Sequence, residues 1–524
     1  MNSNQNRPNF VIIIADQFRH DMFAMAEGPF KVRTPNIDLL ASRGMFFRNA
    51  YSANPTCMPN RASIATGRWP SVHGTRTNGI TFDQNAETFM RVLRRAGYQN
   101  YAIGKLHHQV MGWDWEDYQI DEMRERNPEM LEPWRDAIAR GEGDWQGWEN
   151  ARRHRKAFVE LPQDYYGYDH VDLVVGHGDN PSGHFQHWAA SKGVDLNELA
   201  GWRNSSERSE SVEEVFVSRV PEELHPNSFI TEKFKQRLSE AKKTDSPYLF
   251  FISFPDPHHP FAPPKNWFDK WRDSSVELPK SFFDHAEGSP THIEAMYQAS
   301  GLRNIDSTMT WAPTHDQMQQ MLKAQLAQIE FMDSAVGQIM SALETEGELD
   351  NTYVIFSGDH GDLMGEHGLV LKHFVHFDAV TKVPLIVTGP TIEPQTDERL
   401  VSSTDIAPTV IGLASAEPYK GIQGKNLLSE SKNWRQALVI EEDQPFGIAG
   451  LPGPVKMRTL VTPDYRFTVY GGTGQVELYD RSHGSSDLKN IVHDAELEKA
   501  EAYERLTHEL IALTETGLGP LAGA

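Results

Sequence analysis

The residues best suited to chemistry begin at Thr56-Cys57-Met58-Pro59-Asn60-Arg61 and continue to Thr66-Gly67-Arg68. Cys57 is the one cysteine in 524 residues, so it cannot form an internal disulfide. Pro59 favours the first turn of a helix, and the run after it is helix-compatible. Cys57 is therefore expected at a helix N-terminus, where the dipole and free N–H groups favour developing negative charge. Arg61 falls one turn on, on the same face, able to reach back toward the thiol. Taken alone, the cysteine also reads as a small buried hydrophobe, as most free cysteines are.

Other candidates recur just beyond short apolar runs. Phe10 to Ala15 reads as a strand buried on both faces of a parallel sheet, and it ends in Asp16-Gln17. Tyr101-Ala-Ile runs into Gly104-Lys105-Leu106-His107-His108, and Pro247 to Phe254 into Pro255-Asp256-Pro257-His258-His259-Pro260. Asn351 to Ser357 delivers Gly358-Asp359-His360-Gly361-Asp362, with Lys372 following. Ligands of open α/β sheets bind beyond the carboxyl ends of strands, which is where these groups fall. One by one they have plainer readings: Asp16 as a helix cap, Lys105 and His107 as solvated loop side chains. Four strands ending this way make coincidence a poor explanation.

Cys-x-Pro-x-Arg followed by Ala62-Ser63 and Thr66-Gly67 resembles the signature of the type I sulfatases, a family of the alkaline phosphatase superfamily. Thr34-Pro-Asn-Ile-Asp-Leu-Leu, Gly104-Lys105-x-His107, His258-x-Pro260, Gly358-Asp359-His360-Gly361 and Lys382-Val-Pro-Leu-Ile-Val resemble further segments of it. The resemblance implies oxidation of Cys57 to formylglycine by a formylglycine-generating enzyme. One hydroxyl of the hydrated aldehyde then attacks the sulfur of a sulfate ester and expels the alcohol. The sulfate hemiacetal collapses and the aldehyde returns, two easier steps in place of one. It also implies catalytic roles for Arg61, Lys105, His107, His258 and Lys372, with Lys105 and His107 neutralising sulfate oxygens. Asn78 is expected to touch substrate. Asp16, Gln17, Asp359 and His360 are expected to hold one divalent metal ion. Carboxylate oxygens suit a hard cation and the imidazole shifts preference toward manganese, so Ca2+ and Mn2+ both remain open. Many family members carry Asp-Asp and Asp-Asn at these positions. Asp16-Gln17 and Asp359-His360 instead resemble the choline sulfatase and phosphonate monoester hydrolase branches.

The implied activity is hydrolysis of an organic or carbohydrate sulfate ester. Hydrolysis of a phosphonate monoester or phosphodiester in the same pocket is the alternative. A non-catalytic binding protein on this fold is a remote one, since such a protein would be expected to lose the cysteine, a metal ligand or the lysine.

The elements that must position these groups imply an α/β fold: a large mixed, mostly parallel sheet sandwiched by helices, alkaline phosphatase-like. A smaller C-terminal α+β domain on a short antiparallel sheet is expected after it, from strand candidates at 437–441, 457–462, 465–470 and 476–479 and a helix over 496–514. The expected division is 1–424 and 425–524. The stretch 113–223, rich in tryptophan, reads as an insertion that forms a lid, a substrate wall or a satellite apolar cluster. Lysine and arginine total 50 against 73 acidic residues, a net charge of −23 with no basic run, which argues against nucleic acid. No apolar run approaches membrane-spanning length, and the polar N-terminus lacks a signal-peptide pattern, so a cytoplasmic location is expected.

Overall fold

The structure is a computed structural model, and it describes residues 7–112, 147–284, 288–302, 309–430, 433–481 and 489–515. Trp113, Trp115, Trp134 and Trp145 of the tryptophan-rich stretch lie outside these residues.

The strands up to residue 402 are β1 (Asn9–Ala15), β2 (Met45–Tyr51), β3 (Gln99–Gly104), β4 (His170–Val175), β5 (Ser182–Gly183), β6 (Glu207–Arg208), β7 (Phe216–Val217), β8 (Tyr248–Phe254), β9 (Thr352–Gly358), β10 (Leu385–Thr388) and β11 (Gln395–Ser402). Among the described residues nine of them form one sheet in the order β11-β2-β10-β9-β1-β8-β3-β4-β5, and β6 pairs with β7 separately. β10 runs antiparallel to β2 and β9, and β5 antiparallel to β4; the other neighbours are parallel. The sheet is thus mixed and mostly parallel, as the sequence implied. Residues 170–183 of the expected insertion add two strands to it.

β1 shows why the sheet lies between two layers. All seven of its residues are buried, and successive side chains go to opposite faces. Val11, Ile13 and Ala15 enter one apolar core; Phe10, Ile12 and Ile14 enter the other. The covering helices include α1 (Pro35–Arg43), α2 (Cys57–Thr66), α3 (Phe89–Arg95), α4 (Pro226–Ala241), α5 (His315–Thr345) and α6 (Ile406–Leu413). The apolar residues of α1, α4 and α5 fill the first core, and those of α2, α3 and α6 the second. α5 starts at a capping box in which Thr314 and Gln317 satisfy each other's backbone N–H.

The C-terminal region folds as β12 (Leu438–Gln444), β13 (Val455–Val461), β14 (Tyr465–Gly471) and β15 (Val476–Asp480), a consecutive antiparallel meander, followed by α7 (Glu496–Glu515). Ala502 and Leu506 of α7 pack on Val439, Leu460, Phe467 and Leu478 of that sheet. Among the described residues no helix is long and apolar enough to cross a membrane.

Candidate active site

The four strands that end in polar groups, β9, β1, β8 and β3, are consecutive neighbours in the sheet and mutually parallel. Their carboxyl ends therefore deliver Asp359-His360, Asp16-Gln17, the Asp256–His259 turn and Lys105–His107 to one place. α2 brings Cys57 to the same place.

Cys57 is the first residue of α2, and all ten residues of that helix are buried. The helix closes at Gly67, whose φ of 61° is left-handed and whose N–H donates to the Ser63 carbonyl at 2.8 Å. Around the Cys57 thiol stand His360 Nε2 at 3.2 Å, Lys372 Nζ at 3.5 Å and Asp16 Oδ1 at 3.7 Å. Asn78 accepts from the N–H of Met58 through Oδ1 at 3.2 Å, which holds it at the start of the helix.

Arg61 directs its donors to the carboxylates rather than to Cys57. Nε donates to Asp359 Oδ2 at 2.8 Å and Nη2 to Asp16 Oδ2 at 3.2 Å. Nη1 donates to the Lys105 carbonyl at 2.7 Å and Ser253 Oγ at 2.8 Å. One guanidinium thus ties together the ends of β1, β3, β8 and β9. Asp359 Oδ1 accepts from the N–H groups of Gln17 and His360 at 3.0 and 2.9 Å, which fixes both residues of the metal-type pair.

Lys105 Nζ is ion-paired with Asp16 and also meets His177 Nε2. Burial pushes the Asp16 carboxyl up, but Lys105, His258, His177 and Arg61 outweigh it and hold it well below the usual carboxylate range. His177 stacks on His258 with ring centroids 3.7 Å apart. Burial, then His177 and Lys372, keep His258 neutral, and burial and Lys105 do the same for His107. Lys372 Nζ donates to His258 Nε2 at 3.0 Å and to Gln17 Oε1 at 2.8 Å, and it lies 3.0 Å from His360 Nε2. Although the chain is strongly acidic, Lys105, Lys372 and Arg61 gather here beside Asp16, Asp359 and Asp362. An oxyanion is locally welcome.

The donor set fits a divalent cation. Asp16, Cys57, Asp359 and His360 each offer an atom, all within 4.8 Å of one another. His360 Nδ1 is 3.0 Å from the Gly361 carbonyl, which turns the Nε2 lone pair into the cluster. Gln17 Oε1 and His360 Nε2 already converge on one positive charge, the Lys372 ammonium.

Sequence reasoning missed two contributors. His177 follows the apolar run Leu173-Val174-Val175 in the same way as the other site groups follow theirs, so the pattern was available. Glu149 has no local signature. Its buried carboxylate accepts the N–H groups of His107, His108 and Gln109 at 2.7, 2.9 and 3.3 Å and the Tyr165 hydroxyl at 2.8 Å. It fixes the loop that carries Lys105 and His107, where His107 has a φ of 53°. Among the described tryptophans of that stretch, Trp188 packs on Phe229, Trp202 lies 4.4 Å under the Arg208 guanidinium, and Trp148 lies 5.7 Å under that of Arg153.

A family model described as Sulfatase matches residues 8–416, and one described as N-sulphoglucosamine sulphohydrolase, C-terminal, matches residues 365–516. An uncharacterised sulfatase of Escherichia coli K12 is 27% identical over 93% of this chain and 84% of its own length. A choline-sulfatase of Rhizobium meliloti is 26% identical over 78% of this chain and 68% of its own. The solved phosphonate monoester hydrolase of Agrobacterium radiobacter superposes with a TM-score of 0.73 at 22% identity, covering 98% of this chain and 96% of that one.

Proposed function

The chain belongs to the sulfatase family and is a sulfuric ester hydrolase; from that premise we propose how its own residues carry out the reaction. The observation that carries the reading is the position of Cys57. It lies at a buried helix N-terminus, within 3.7 Å of Asp16, His360 and Lys372.

Formylglycine at position 57 would supply the attacking hydroxyl and the temporary covalent carrier of the sulfate group. Cys57 is 2% exposed, so conversion by a formylglycine-generating enzyme has to reach this segment before it is folded away. Asp16, Gln17, Asp359 and His360 would hold the divalent cation, which supplies Lewis acidity toward a sulfate oxygen. Arg61 pairs with the two carboxylates and aligns them. Lys105, His107 and His177 bind the remaining sulfate oxygens and offset the charge that builds on them. Lys372 Nζ, 3.0 Å from His258 Nε2, orients that imidazole, which would serve as general acid toward the departing alcohol or as a sulfate ligand. Asn78 orients the bound ester at the start of α2. The buried walls exclude water, which strengthens each of these interactions.

The relatives point to a sulfate ester of a small molecule or a saccharide, and a choline-sulfatase is among them. Gln17 and His360 support a second reading, hydrolysis of a phosphonate monoester in the same pocket. The test of the main reading is turnover of an aryl sulfate by protein whose residue 57 is shown by peptide mass to be formylglycine, beside Cys57→Ala. Loss of turnover in a folded Cys57→Ala supports it; parental turnover in that variant overturns it.

A further inference from the structure

A buried carboxylate of the C-terminal sheet reaches the same site. Glu442 lies on β12 and is fully buried. Its Oε1 accepts from Gln444 Nε2 at 2.6 Å and from the Phe374 N–H at 3.4 Å, and lies 3.1 Å from His373 Nδ1, which is also 2.8 Å from Gln444 Nε2. Its Oε2 is 2.9 Å from His376 Nε2, and His376 Nδ1 is 2.7 Å from Thr459 Oγ1. A carboxylate this deep is tolerated only when its neighbours satisfy it, and here they do.

What these bonds hold is the turn around Lys372. Leu371, His373 and Phe374 have φ of 70°, 84° and 63°, a left-handed backbone that L side chains rarely adopt. Such a conformation persists when its surroundings over-determine it. Before Lys372, the main sheet's side does so: Asp362 Oδ1 accepts the Leu371 N–H at 2.8 Å. After Lys372, Glu442 holds His373 and Phe374. Thr310 Oγ1 donates to the His373 carbonyl at 2.8 Å, and His292 Nε2 is 2.8 Å from the Phe374 carbonyl. The Phe374 ring sits among Leu451, Val455, Met457 and Tyr470 of the C-terminal region. His373 Nδ1 also lies 3.5 Å from Oγ1 of Thr56, the residue that precedes Cys57.

We propose that Glu442 is a positioning residue for ester hydrolysis. Acting through His373, it fixes the turn that aims Lys372 at Cys57, and so makes the C-terminal sheet part of the machinery rather than a passive neighbour. This rests on the reading of Lys372 as a catalytic group given above.

The experiment measures kcat, KM and the urea unfolding midpoint of the full chain, converted at Cys57, on an aryl sulfate. Glu442→Ala is expected to lose kcat on the order of 10²-fold while KM moves by less than about threefold, as misplacement of a reacting group would cause. Glu442→Gln keeps an acceptor at Oε1, and His376 can change tautomer to meet the new N–H, so its loss is expected to be much smaller. If Glu442→Ala fails to fold, His373 decides. His373→Asn keeps a donor and tolerates the left-handed backbone, and is expected to lose far less kcat than His373→Leu. A folded Glu442→Ala with near-parental kcat beside an inactive Lys372→Ala refutes the positioning role alone. Equal losses in His373→Asn and His373→Leu refute it too. A Lys372→Ala with parental kcat refutes the role of Lys372 and this inference with it.

Discussion

Arg61 Nε donates to Asp359 Oδ2 at 2.8 Å, and both side chains are fully buried. The pair joins the nucleophile helix to the end of β9. Burial alone would lower the affinity of the Arg61 guanidinium for its proton, but Asp359, Asp16 and Cys57 outweigh it and raise it. Removing Arg61 leaves two buried carboxylates without their guanidinium, and removing Asp359 leaves Arg61 with Asp16 as its remaining carboxylate.

Asp359→Ala is therefore expected to act twice. It removes a ligand, so metal content by elemental analysis should fall to background. It also removes one of the two buried carboxylates paired with Arg61, leaving Asp16 as the other, at a cost of up to about 3–5 kcal/mol of stability. Asp359→Asn keeps the shape and should restore part of the stability without the metal. Unaltered metal content in Asp359→Ala would show that Asp359 is not a ligand.

Glu149→Ala should release the Lys105–His107 loop. Three backbone N–H groups lose their acceptor, and each buried unsatisfied group costs about 1–3 kcal/mol. Urea unfolding should show a loss of roughly 3 kcal/mol or more, and kcat/KM on a sulfate ester should fall with it. A stability change below about 1 kcal/mol would mean that the loop is held by other contacts.

Gly104 opens the Gly-Lys-x-His segment, and its φ is 106°. A Cβ at this position would run into the Ser253 carbonyl oxygen, which accepts the Lys105 N–H at 2.9 Å. Gly104→Ala should push β3 from β8 where Lys105 leaves the sheet. The expected result is a lower melting temperature together with lost turnover. Normal values of both would show that the strands separate there freely.

How much of this was legible beforehand follows from what each residue answers to. The runs of β1, β3, β8 and β9 are apolar because both faces are buried, so they stand out against polar flanks. β11, Gln-Thr-Asp-Glu-Arg-Leu-Val-Ser, is an edge strand with an exposed polar half and carries no such signal. β10 was visible only within a segment resembling the family, Lys382-Val-Pro-Leu-Ile-Val. Asp16, Gln17, Lys105, His107, His258, Asp359 and His360 draw attention because they follow strand-like apolar runs, and Cys57 because it opens a helix-compatible run, both local features. Glu149 and Glu442 act on backbone that is distant in sequence, 42 and 69 positions from His107 and His373, and nothing local marks them. The resemblance supplied the chemistry of Cys57, which its spacing alone left open.

A pH test probes the join between main sheet and C-terminal sheet. Arg481 Nη1 donates to Asp378 Oδ1 at 2.9 Å and Nη2 to the Tyr51 hydroxyl at 2.6 Å. Burial pushes the Asp378 carboxyl up, but Arg481, Lys382, His20 and Arg466 hold it far below its usual range. A carboxyl depressed in the folded state contributes stability that is fully present above its unfolded pKa of about 3.9 and is lost as pH falls below that. Urea midpoints measured from pH 7 down to pH 3 should fall more steeply below about pH 4 for the parent than for Asp378→Asn. Parallel profiles would show that this carboxyl is not linked to folding.

The most direct measurement of the central claim is a paired one. Protein with formylglycine at position 57 is given an aryl sulfate and the matching aryl phosphonate monoester, with Cys57→Ala alongside, and kcat/KM is determined for each. The account expects a large advantage for the sulfate that disappears in Cys57→Ala. A large advantage for the phosphonate would contradict it, and would mean that Gln17 and His360, rather than Lys105 and His107, decide which tetrahedral anion this site turns over.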